Sequence, residues 1–323
     1  MDFTFRVLSA FLETLRDSGY SFLTVRDYAL AGKPACSRFV VLRHDVDLRP
    51  EASLRAARME KSLGIKGTYY FRITRKSFDA KIIQEIGSLG HEVGYHYEDI
   101  DLARRRKDHV ESGADDEASW PSTSSSGFGV KGGENRVSSE VLLVSRAFHN
   151  FRTNLKAIRK LVPVSTICMH GSPKTRLDGR ILWKYYDYED LEIECEPYFD
   201  IPLDDMLYLT DTGRRWDGDR YSVRDKVYSI DPGFYKEWVR KPVPGSAMAM
   251  TAPGTTLAAR HRYTRTPEII NAARSSELPD KIMLTVHPQR WNDNYLRWSG
   301  ELISQNIKNW IKAVIINRNR NGN

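Results

Sequence analysis

Two carboxylates two positions apart, Asp45 and Asp47 in Arg43-His44-Asp45-Val46-Asp47, follow the apolar run Phe39-Val40-Val41-Leu42. A short run of β-branched and aromatic residues reads as a buried strand, and the carboxyl end of such a strand in an α/β sheet opens onto the ligand crevice. Alternate side chains of extended backbone share a face, so both carboxylates can enter one pocket while Val46 packs behind them and His44 turns away from Asp45. One carboxylate can hold a divalent cation and the other stay free as a general base, a division that makes water a nucleophile near neutral pH. Downstream, Gly90-His91-Glu92-Val93-Gly94-Tyr95-His96 adds His96, whose imidazole suits zinc, cobalt, nickel or iron better than calcium or magnesium. The competing reading is an acidic cap on the helix that Arg49-Pro50-Glu51 begins.

The elements that must position these groups alternate along the chain. Strands are expected over 39–44, 67–73 and 91–96, with helices at 50–63 and 78–89 between them. A helix over 138–161, strands over 164–168 and 281–286, and an amphipathic helix over 298–316 complete the pattern of a parallel-sheet α/β protein. Residues 1–38 read as an N-terminal helical segment, and 317–323 as a basic tail. Residues 111–136, with a serine run and Gly132-Gly133, read as a flexible insertion into a single domain.

The order of these motifs resembles the NodB-homology polysaccharide deacetylases, the family-four carbohydrate esterases. The likeness rests on Leu42 to Asp47, on Gly64-Ile65-Lys66-Gly67-Thr68-Tyr69-Tyr70-Phe71, on Gly90 to His96, and on Ile282-Met283-Leu284-Thr285-Val286-His287-Pro288. It covers most of 39–100 and 281–291, with a weaker match around Thr166 to Pro173. The resemblance implies a deformed (β/α) barrel over 39–316, active at the carboxyl ends of its strands, that removes acetyl groups from an amino sugar or polysaccharide precursor. It puts Asp45 on the catalytic base, Asp47 and His96 on metal ligands, His287 on the general acid, and His91 outside the ligand set. The family's second metal histidine falls at Ile100, which cannot bind a metal. Glu98, Asp99 and Asp101 are oxygen donors close by, and His170 in Cys168-Met169-His170-Gly171-Ser172-Pro173 follows another strand; His170 is the favoured replacement. The expected cofactor is a divalent metal, zinc foremost.

Aromatics mixed with acids and arginines over 183–188, 196–200 and 208–217 fit a sugar groove, since flat rings stack on pyranose faces. Thr210 to Gly213 reads as a turn, which makes Asp211, Arg214 and Trp216 the candidate substrate-binding residues; an ordinary core and a structural ion pair are the alternatives.

A chain of 323 residues with 41% hydrophobic content suffices for one decorated barrel. Its three cysteines, Cys36, Cys168 and Cys195, are odd in number and widely spaced, against a disulfide framework or zinc ribbon. No run reaches transmembrane length, and Met1-Asp2 puts an acid where a signal peptide carries positive charge. A cytoplasmic address is therefore expected, and with it a lipid-linked or nucleotide-linked carbohydrate substrate. The net charge of +7 permits an anionic partner, concentrated at Arg104 to Lys107 and Arg318 to Arg320, but no nucleic-acid-binding motif accompanies these runs and no nucleic acid is expected. Competing functions are a glycoside hydrolase with two opposed carboxylates, a catalytically inactive glycan-binding relative, and an anion-binding interaction protein.

Overall fold

The computed structural model of the protein describes residues 1–31, 36–104, 134–171, 178–203, 206–216 and 261–305. The expected insertion lies outside the described residues except for 134–136, which open a helix; the basic tail and the far half of the terminal helix also lie outside them.

Helix α1 (Phe5–Asp17) starts at Thr4, whose side chain accepts from the Val7 N–H, and buries Phe5, Leu8, Phe11, Leu12 and Leu15 on one stripe. Strand β1 (Ser21–Leu23) leads into α2 (Val25–Leu30), which is opened by a Thr24–Asp27 capping box. Next come β2 (Phe39–Val46), α3 (Pro50–Ser62, with proline in its first turn), β3 (Thr68–Phe71), α4 (Ala80–Ser88) and β4 (Glu92–Tyr97). The long helix α5 (Glu134–Arg159), β5 (Ile167–Met169), β6 (Leu207–Thr210), α6 (Thr266–Arg274) and β7 (Lys281–Val286) follow. Residues 295–305 are helical. The N-terminal segment, expected to be helical, thus also contributes a strand, and β6 arises in a region read only as turn and aromatic groove.

The strands form one seven-stranded sheet in the order β5-β4-β3-β2-β7-β6, with β1 beside β2, and it curls into a parallel half-barrel. Each described pairing is parallel. All eight residues of β2 are buried, as befits a central parallel strand covered on both faces. Its odd-numbered side chains point into the curl, where Phe39 and Val41 meet Val25, Tyr70, Cys168, Cys195 and Met283. Its even-numbered Val40, Leu42 and Val46 pack against the helices, with Leu8, Ala56, Ile83 and Phe151. Inside the curl Gly94 is obligatory: a Cβ there would run into the Tyr70 ring and approach the Thr166 carbonyl to 2.9 Å. Among the described residues no helix is long and apolar enough to cross a membrane.

Candidate metal and acid-base site

Period-two geometry and in-register pairing build the site together. His44 lies opposite Val286, Asp45 opposite Tyr70, and His96 opposite Cys168. The inward series of each strand therefore runs on to a polar residue at its carboxyl end: Asp45 and Asp47 from β2, His96 from β4, His170 from β5 and His287 from β7. These five side chains come together at one end of the curl.

Asp45 is buried at 5% exposure and clasped by Arg43, whose Nε and Nη2 each donate at 2.7 Å to its two oxygens. Burial opposes ionisation, but Arg43, helped by His96 and His287, holds the carboxyl far below the usual range. The Arg43 partnership was not anticipated; its signal was the two-residue spacing, which puts both side chains on one strand face.

Asp47 Oδ1 lies 3.8 Å from His96 Nε2 and 3.4 Å from His170 Nε2, and is buried without a hydrogen-bond partner. Its other oxygen accepts from Gln289 Nε2 at 3.3 Å. Burial raises the Asp47 carboxyl, but His170, His287 and His96 outweigh it and keep the group anionic. One ligand atom from each of Asp47, His96 and His170 lies within 4.8 Å of the other two, which makes the three a possible metal-binding triad. Ligands bonded at about 2.1 Å to one tetrahedral ion sit roughly 3.4 Å apart, close to the separations seen, and too far for direct hydrogen bonds.

The imidazoles are prepared for that task. His96 Nδ1 lies 2.9 Å from the Cys168 carbonyl, which can only accept, so Nδ1 carries the proton and Nε2 keeps its lone pair toward Asp47. Burial lowers His96 to about 4, leaving the ring neutral near pH 7 despite Asp45 and Asp47. His170 Nδ1 lies 3.2 Å from Glu98 Oε2. Arg72 forks onto the same carboxylate, with Nη2 at 2.7 Å from both oxygens. Burial pushes Glu98 up, but His170 and Arg72 bring it down to about 2.

The same geometry separates the alternatives to His170. Glu98 meets the ring of His170, while Asp99 accepts from Tyr95 Oη at 2.7 Å and Asn154 Nδ2 at 2.9 Å. Burial drives Asp99 up to about 7. Ile100 is a core residue at 1% exposure.

On the other side of Asp45, His287 Nε2 lies 4.0 Å from Oδ2. Its Nδ1 lies 2.6 Å from Asp211 Oδ1, and its backbone N–H donates to Oδ2 at 3.0 Å. Arg290 Nη1 and Trp291 Nε1 donate to the same carboxylate at 3.0 and 2.7 Å. Burial raises Asp211, and the outcome is nonetheless a lowered carboxyl because His287 and Arg290 surround it.

The substrate-contact role expected of Asp211, Arg214 and Trp216 is corrected by these positions. Asp211 is fully buried and spends both oxygens on protein donors. Arg214 is buried, donates from Nη1 to the Trp298 carbonyl at 2.8 Å, and lies over the rings of Phe3 and Trp298 at 5.3 and 4.7 Å. Trp216 is core, with Nε1 on Thr266 Oγ1 at 2.9 Å and its ring beside Phe3, Phe11 and Trp291. In the aromatic stretches, Trp183 donates to Tyr97 Oη and packs edge-on against Phe151, as a core residue does. Phe148 stacks on Tyr186 at 3.6 Å. His91, placed outside the ligand set, receives the Gly67 N–H at Nδ1 and lies 2.9 Å from the Ala57 carbonyl at Nε2.

Comparison with known proteins adds no relative: no family model matches the chain, nor does any curated protein or solved structure.

Proposed function

We propose that the protein is a metal-dependent hydrolase that removes acetyl groups from an amino sugar or polysaccharide precursor, on a barrel of the NodB-homology type. The observation that carries the reading is the placement of Asp45 between two different devices: His96 of the triad at 3.7 Å on one side, and the Asp211-supported His287 at 4.0 Å on the other. A divalent cation held by Asp47, His96 and His170 would supply Lewis acidity toward an acyl oxygen and acidify water, and zinc suits a donor set of two imidazoles and a carboxylate.

The chain's own groups perform the proton transfers. Arg43 keeps Asp45 ionised throughout the neutral range, so it orients the attacking water and accepts its proton; a carboxylate so stabilised is a weak base and takes that proton late in the step. The carbonyl carbon then carries the water's oxygen. His287, with Nδ1–H against Asp211, turns Nε2 toward the reaction and protonates the departing amine as the C–N bond breaks, leaving acetate and a free amino sugar. Asp211 fixes the ring's tautomer and stabilises its charged form, while Arg290 and Trp291 fix Asp211.

Asp45 and Asp47 lie in one cluster instead of facing each other across a gap, which weighs against glycosidic cleavage by opposed acids. The acid-base pair beside a complete triad weighs against an inactive glycan binder. The test is elemental analysis of the purified protein together with acetate release from a panel of N-acetylated glycans and phosphorylated N-acetyl amino sugars. Metal-loaded protein that releases acetate from none of them refutes the deacetylase reading.

A further inference from the structure

Residues that follow β2 and β7 in the chain line an open recess of about 360 Å³: Arg49, Arg297, Gly300, Glu301 and Ser304. That volume is at the small end of the range for small-molecule sites. Arg49 stands two positions after Asp47, and the helix at 295–305 follows the His287 to Trp291 segment, so the recess is linked along the chain to two of the segments that build the acid-base site. The Asp47–Gln289 hydrogen bond ties those two segments together.

The charge in this recess is unbalanced. Arg49 Nη2 is 3.7 Å from Glu301 Oε2, with about half of its side chain exposed. The Arg297 guanidinium has no hydrogen bond or ion pair among the described residues. Arg214, outside the lining, is anchored to the Trp298 carbonyl and feels the charges of Glu301, Asp2 and Asp211. Within the lining, one carboxylate thus faces two guanidiniums, and Arg297 is left without an acceptor among the described residues. Arg49 also holds a left-handed backbone, φ 54° and ψ 66°, unusual for a residue with a Cβ; its N–H is pinned to the Lys76 carbonyl at 3.0 Å. The chain accepts that strain directly after the Asp45–Asp47 segment, where it brings a cation to the rim.

We infer that this recess binds a phosphate group of the acetylated substrate, so that the substrate is a phosphorylated amino sugar and not a neutral glycan. Guanidinium forks match phosphate oxygens in pairs, and the lining's excess of one positive charge favours an anion. The acetyl half of this statement rests on the deacetylase reading; the anion half stands on the recess alone.

Calorimetric titration of the full chain with inorganic phosphate and with pyrophosphate is the direct test. Arg297→Gln and Arg49→Gln should each weaken binding by roughly 10-fold or more. Zinc titration of the same variants should be unchanged, which shows that they are folded and that the triad is separate. Absence of anion binding to the wild type, or binding unaltered in both variants, overturns the inference. A second arm measures acetate release from an N-acetylated sugar 1-phosphate, a nucleoside diphosphate sugar, a polyprenyl diphosphate sugar and a neutral oligosaccharide. A lower KM for one or more of the phosphorylated substrates, lost in Arg297→Gln, supports the inference and identifies the carrier; equal KM for the neutral oligosaccharide overturns it. Arginine-dependent phosphate binding without acetate release from any substrate would leave the anion site standing and remove the deacetylase reading.

Discussion

The sheet carries two buried clusters of imidazoles and carboxylates, one on each face. On the helix-facing side, Glu60 lies 2.8 Å from His44 Nε2 and accepts from Tyr69 Oη at 2.8 Å, with His91 alongside and His44 stacked on the Tyr69 ring. On the inner side, Asp45, Asp47, His96, His170 and His287 face one another at 3.4–4.0 Å. His44 and Asp45 are adjacent in sequence, so residue type and burial do not distinguish the clusters. The difference is closure. The outer groups are packed in contact, Glu60 against His44 and Tyr69, although His44 Nδ1 has no hydrogen-bond partner among the described residues, whereas the inner groups are each braced from behind and stand 3.4–4.0 Å apart in front.

Breaking the comparison should give losses of function on one face and losses of stability on the other. The largest effect is expected for Asp45→Asn, which should keep its metal and lose turnover by roughly 10²–10⁴-fold. Asp47→Ala should instead lose metal as well as turnover; elemental analysis of both variants separates the roles, and equal metal loss contradicts them. On the outer face, Glu60→Ala should lower stability by about 3–5 kcal/mol, because it strips the partner from buried imidazoles. Urea unfolding measures this, and metal affinity per folded molecule should stay unchanged; weakened affinity would mean that the two faces are coupled.

A smaller effect sharpens the ligand set. His170→Ala should weaken metal binding by roughly 10-fold or more, with Glu98→Gln reaching a similar size through the ring it orients. Asp99→Asn should leave affinity intact, since its partners are Tyr95 and Asn154. Affinity lost in Asp99→Asn but kept in His170→Ala would exchange their positions.

The smallest effect is a pH dependence. His96 has its folded value lowered by burial from 6.5 to about 4, so between those values the unfolded chain binds a proton that the folded chain does not. Its contribution to the stability of metal-stripped protein is therefore complete above about pH 6.5 and is lost as pH falls toward 4. Asp99 and Glu196, raised by burial to about 7, act in the opposite sense, their contributions fading as pH rises through 7. The difference in urea midpoint between wild type and His96→Gln isolates the histidine: it should change between pH 7.5 and 4.5, and a constant difference would count against a neutral His96.

Local pattern made much of this legible. The run before Asp45 marked the central strand, the two-residue spacing put Asp45 and Asp47 on one face with His44 on the other, and His96 and His287 each ended a recognisable strand. All of these follow from the alternation of extended backbone, which any short stretch of sequence displays. The donors near Ile100 were a different matter, because the sequence favoured His170 without excluding Glu98 or Asp99. Pairing of β4 with β5, His96 opposite Cys168, brought His170 to the cluster, while the Tyr95–Asn154 contact took Asp99 away from it.

Asp211, Arg214 and Trp216 show the same division from the other side. Their turn-like sequence suggested an exposed rim, but packing against Phe3, Trp291 and Trp298 buried them and made Asp211 the support of His287. Residues near 211 and 287 lie far apart along the chain and meet because β6 and β7 pair. Sequence by itself determined which face of each strand its residues occupy, since that depends on neighbours two positions away. Tertiary structure alone decided which strand ends share a pocket, because strand order and the closing of long loops bring together residues that no local periodicity connects.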